Sequence, residues 1–65
     1  ALLIYENLLE KYPENINVYI SYGFTLNLLE RFNDAIKIYL RGLSIKDDEF
    51  GLLYNLGITY LNQFD

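Results

Sequence analysis

The side chains of this sequence with chemical potential are carboxylates and phenols. Asp47, Asp48 and Glu49 form the densest acidic cluster, but a calcium loop needs oxygen ligands at alternating positions around a central glycine, and the triplet has neither. It reads as a solvated turn between helices. Seven tyrosines raise the option of a platform on which nucleic-acid bases stack; such platforms work with Lys or Arg beside the rings, and these tyrosines sit mainly among Leu, Ile, Asn and Gly. Core packing is the reading for them. There is no Gly-rich phosphate loop and no pair of catalytic carboxylates. With no Cys and no His, a thiolate nucleophile, an imidazole base and the commonest zinc ligands are removed as well. No catalytic, cofactor-binding or metal-binding residue is assigned, and neither enzymatic activity nor a cofactor is expected.

Composition sets further bounds. A chain of 65 residues forms one modest core, burying only about 60% of the surface its unfolded form exposes. Five Lys plus Arg against nine Asp plus Glu give a net charge of −4, which repels phosphate and anionic lipid, so neither nucleic acid nor a membrane is an expected partner. No uncharged stretch reaches the roughly 18 apolar residues of a spanning helix, and no basic segment precedes an apolar one as in a signal peptide. Cytoplasm is the default compartment. The opening on Ala1 with no initiator Met suggests a piece of something longer.

An internal period organises the chain. Shifted by 34 places, Ala1, Ile4, Tyr5 and Leu9 fall on Ala35, Ile38, Tyr39 and Leu43, and Gly23 and Thr25 fall on Gly57 and Thr59. These identities recur at steps of three, four and five, the spacing of a helical face. A first helix over 1–12 carries Leu2, Leu3, Tyr5, Leu8, Leu9 and Tyr12 as its apolar stripe and ends at Pro13. Asn15 caps a second helix that runs to about Leu29. That helix is apolar nearly all round, from Val18 to Leu29, and is expected to touch neighbours on more than one side. Glu30 to Asn33 form a polar break, with Asn33 as N-cap and Asp34 at the positive end of a third helix. Its apolar face runs from Ala35 to Ile45. A last helix extends from Phe50 to Leu61 or Asn62, and the chain leaves room for no sheet.

Gly23, Ala35 and Gly42, placed among Tyr19, Tyr22, Leu26 and Tyr39, resemble the tetratricopeptide repeat, a 34-residue helix-turn-helix unit. The segment LGITY at 56–60, with Gly57 and Tyr60, is close to the family's most recognisable phrase. The resemblance implies an all-α fold in which antiparallel helix-turn-helix repeats stack as a right-handed α-solenoid, in helix order B-A-B-A. Residues 1–15 would be the second helix of one repeat, 16–49 a complete repeat, and 50–65 the first helix of the next. The family's closing proline is present as Pro13 but replaced by Asp47 in the central unit, and Leu8 stands where a small residue is usual. The half-a-tetratricopeptide repeat of RNA-processing scaffolds is a related reading, because IYENLL resembles its second-helix phrase.

In this family the first helices of successive units line a concave groove that holds a partner's peptide or helix. Carried over by position, the groove would be lined by Asn17, Ile20, Phe24, Asn27 and Leu28, and by Gly51, Tyr54, Asn55, Ile58, Leu61 and Asn62. Tyr19, Tyr22, Gly23, Leu26, Ala35, Tyr39, Gly42, Gly57 and Tyr60 would pack the repeats together. The implied function is a protein-interaction scaffold; a structural spacer inside a larger enzyme or assembly is the alternative, with Ile20, Phe24 and Ile58 merely packing on adjoining helices. The family's carboxylate clamp for chaperone C-termini needs basic residues on these first helices. Only Asn55 matches it, Ile20 and Phe24 standing in place of a Lys and an Asn, so an apolar or mixed ligand is expected. Cut repeat faces at both ends are expected to make the isolated segment self-associate.

Overall fold

The computed structural model describes residues 2–64, so the expectations placed on Ala1 and on Asp65 lie outside the described residues. Helices α1 (Leu2–Lys11), α2 (Ile16–Leu28), α3 (Phe32–Ile45) and α4 (Phe50–Gln63) account for almost all of them, and no strand occurs among the described residues. Local chemistry sets the boundaries. Pro13 follows the end of α1, and the Asn15 side chain accepts from the Asn17 N–H at 3.1 Å, satisfying one of the orphan donors of α2.

The start of α3 corrects the sequence reading. Asn33 is not the N-cap: the helix begins at Phe32, with Arg31 in the cap position. The cause lies in how α2 ends. Glu30 takes a left-handed φ of 60°, which turns the Arg31 N–H back to the Leu26 carbonyl at 2.9 Å and the Glu30 N–H to the Asn27 carbonyl at 2.9 Å. This paired closure delivers the chain directly into the next helix. Arg31 makes no side-chain cap bond; its guanidinium instead bridges Asp34 in the first turn at 2.8 Å.

Residue pairs across the interfaces give the helix directions. Tyr5 meets Thr25 and Glu6 meets Tyr22, so α1 and α2 are antiparallel. Tyr19 faces Gly42 and Gly23 faces Tyr39, which makes α2 and α3 antiparallel. Gly42 faces Leu52 and Asn33 bonds Gln63, so α3 and α4 are antiparallel too. Ile20 meets Gly51 and Asn27 meets Thr59, leaving α2 and α4 parallel. The second helix therefore touches all three others, while α1 touches α2 alone among the described helices. The core lies around α2 and α3, with Leu26, Ala35, Tyr39 and Leu52 at or within 1% of complete burial.

Gly23 is the closest approach. A Cβ there would fall against the Tyr39 ring, 2.5 Å from Cζ and 2.7 Å from Cδ1, with Cε1 nearer still. Gly23→Ala is therefore expected to destabilise by about 1–3 kcal/mol through overpacking, despite alanine's advantage of about 1 kcal/mol inside a helix; denaturant unfolding checks the sign. Glu30→Gly should act oppositely. Glycine carries no left-handed penalty, so its midpoint of thermal unfolding should rise, by roughly 4–8 °C for each kcal/mol gained.

Candidate functional site

The parallel helices α2 and α4 carry the residues expected to line a groove. Neither helix contains a charged residue; the charges of the described chain stand on α1, α3 and the turns. What α2 and α4 offer a partner is thus apolar surface and uncharged hydrogen-bonding groups. On α2, Asn17, Phe24 and Leu28 are exposed, and helical spacing puts them along one side. On α4, Tyr54, Leu61 and Asn62 are exposed, with Asn55 and Ile58 half-buried beside them. Phe24, Leu28, Tyr54 and Leu61 are each more than half exposed.

Two of the expected lining residues are committed to holding α2 against α4. Ile20 packs into the space above Gly51, its Cδ1 lying 3.1 Å from where a Cβ would stand. Asn27 is turned inward: its Nδ2 donates to Thr59 Oγ1 at 2.6 Å, and that hydroxyl donates to the Asn55 carbonyl at 2.8 Å. Its Oδ1 is buried without a partner. Asn27 is therefore not a free hydrogen-bonding group for a bound backbone, because its amide is committed to Thr59.

Tyr39 ends at this same buried junction. Its hydroxyl stands beside Asn27 and Thr59, which partly offset its burial, yet no hydrogen bond of good geometry reaches it. Burial is the main reason its phenol is held above the ordinary value.

The residues expected to pack repeats together divide. Tyr19, Tyr22, Gly23, Leu26, Ala35, Tyr39 and Gly42 are buried. Gly57 and Tyr60 are not: nothing lies within 4 Å of a Cβ built on Gly57, and Tyr60 is exposed. Both sit on the side of α4 that no described helix covers. The resemblance of LGITY to the repeat's phrase implies packing roles for both, and a resemblance does not say whether the neighbour is there.

Two features went unnoticed in the sequence. Phe50 stacks on Tyr54 with ring centroids 5.8 Å apart, lengthening the aromatic surface of α4 by one turn; their four-residue spacing was the available signal. A cleft of about 260 Å³ lies elsewhere, lined in part by Glu6, Tyr22, Arg31, Asp34, Lys37 and Arg41. There the Tyr22 hydroxyl donates to Glu6 Oε2 at 2.5 Å, its ring stacks on Tyr5 with centroids 5.2 Å apart, and the Tyr5 hydroxyl pairs with Thr25 Oγ1 at 3.1 Å. No periodicity argument brings Glu6 to Tyr22, since 34 places on their counterparts are Leu40 and Leu56.

Burial first, and then the bonded Glu6 carboxylate, push the Tyr22 phenol up to about 12, against the opposing pull of Arg31 and Arg41. Because Tyr22 and Tyr39 ionise more readily unfolded, near pH 10, their contribution to stability is intact below about pH 10. It is lost as pH climbs through the folded value of about 12 for Tyr22. Ultraviolet titration of tyrosinate should show a late-ionising group that Tyr22→Phe removes, and alkaline unfolding should begin at higher pH in that variant.

Comparison with family models, with curated proteins and with solved structures gave no match to this chain.

Proposed function

We propose that the chain is a segment of a tetratricopeptide-like right-handed solenoid and acts as a protein-interaction scaffold, holding a partner peptide or helix against α2 and α4. Support for the repeat comes from contacts that recur at the sequence period. Tyr5 pairs with Thr25, and 34 places on Tyr39 stands beside Thr59. The alternation of direction along the chain, with α2 and α4 parallel, agrees with first helices of successive units lying side by side.

The observation that carries the binding reading is the uncharged, half-apolar strip of Phe24, Leu28, Tyr54, Ile58 and Leu61. Exposed aromatic and branched residues flanked by asparagines are the composition that anchors a bound peptide: rings fill its apolar contacts, and amides meet its backbone. Asn17, Asn55 and Asn62 are the amides left for that role once Asn27 is committed to Thr59. The ligand class is an apolar or mixed peptide or amphipathic helix. The mechanism is binding alone, with no cofactor.

The test is capture from a displayed library of short peptides by the intact chain. Selective capture should be lost, by at least about tenfold in Kd, in Phe24→Asp or Tyr54→Asp while helical circular dichroism is retained. Those positions are exposed, so the variants leave the core in place. Capture of no peptide, or capture indifferent to both substitutions, would favour the structural-spacer reading.

A further inference from the structure

The interface between α2 and α3 is built from two half-faces, and each recurs at the sequence period on an outer helix, exposed on α4 and, on α1, with Ile4 exposed and Tyr5 and Leu8 half-buried. On α2 the half-face is Tyr19, Gly23 and Leu26; shifted by 34 places it becomes Leu53, Gly57 and Tyr60 on α4. Tyr19 and Leu26 are 4% and 1% exposed, whereas Leu53 and Tyr60 are 48% and 41%. On α3 the half-face is Ile38, Tyr39 and Gly42, which becomes Ile4, Tyr5 and Leu8 on α1. Ile38 is 5% exposed and Ile4 62%.

We propose that α1 of a second copy of this chain packs antiparallel across the outer face of α4, repeating the α2–α3 interface between molecules. Its Tyr5 ring lies over Gly57 as Tyr39 lies over Gly23. The open space above Gly57 is the space that the Tyr39 ring fills above Gly23. The differing pair compensates in volume: within the chain Tyr19 meets Gly42, and between copies Leu53 meets Leu8, so one side gains the bulk that the other gives up. Electrostatics do not oppose the contact. No charge stands on α4, and Glu6 and Glu10 fall off the side of α1 that Ile4 and Leu8 share.

The contact is heterologous, since a different surface is used on each partner and each copy of a pair keeps its other face free. Such contacts propagate into open chains unless the rotation closes. The inference rests on the helical-repeat reading but not on the peptide-binding strip, which uses Phe24 and Tyr54.

Sedimentation equilibrium of the 65-residue chain tests it. The average mass should rise with concentration past that of a dimer. Gly57→Ala should weaken association at least about tenfold while helicity is kept or raised, because the added methyl meets nothing in the monomer and alanine favours helix. Ile4→Glu should weaken it equally from the other side. Mixed, the two variants should form a one-to-one dimer that grows no further, since only one competent face of each kind remains. Wild-type chain that stays monomeric, association indifferent to Gly57→Ala or to Ile4→Glu, or a mixture that forms no dimer overturns the proposal. A chain that assembles but captures no peptide sinks only the binding strip; one that captures peptide as a strict monomer sinks only the stacking.

Discussion

The close approach of Gly23 to the Tyr39 ring is the constraint on which the rest of this fold depends. Without a side chain at position 23, α2 and α3 come near enough for a completely buried tyrosine to reach across their interface. Its hydroxyl arrives beside Asn27 and Thr59. One ring thereby joins α2, α3 and α4. A bulkier residue at 23 would move that ring and, with it, the spacing of α2 from α4 that decides which side chains remain exposed.

Polar chemistry is segregated accordingly. Where α2 meets α4 the groups are neutral, with an amide donating to a hydroxyl and the hydroxyl to a carbonyl. Where α2 meets α1 a phenol is bonded to a carboxylate, and cations stand nearby. The neutral junction sits deep, with Asn27 Oδ1 and the Tyr39 hydroxyl buried there without partners; the charged one lies at the margin, where Glu6 is exposed to water. The molecule therefore has one uncharged side and one charged side, and the uncharged side carries most of the exposed aromatic rings.

Much of the helical architecture was legible in the sequence. Pro13 and Asn15 marked the first turn by well-defined physical effects, and the apolar spacings placed every helix. The start of α3 was not legible because the chain reversal uses Glu30 in a left-handed conformation, where the sequence offers no glycine to announce it. The packing residues of α2 and α3 were named through the resemblance to the repeat, and those residues are buried. Asn27 was misplaced because helical spacing tells which side a residue takes, not how closely the next helix approaches there. The Thr59 hydroxyl, brought within 2.6 Å of the Asn27 amide by the parallel packing of α4, is what turns it inward. Gly57 and Tyr60 share the pattern of their buried counterparts without sharing their surroundings.

The attachment of α1 has a consequence for how the molecule comes apart. Among the described helices this one touches α2 alone, through a stacked tyrosine pair and two hydroxyl bonds besides its apolar contacts. It reaches the buried core through Leu9, with Leu2 and Tyr5 packed at the edge, whereas α2, α3 and α4 supply the rest of that core. Opening energies follow contact density, so amide protons in α1 exchange with solvent through a local detachment, ahead of those in α2 and α3. The fold thus has two tiers of contact density: a tightly joined body of α2, α3 and α4, and a first helix held by fewer contacts.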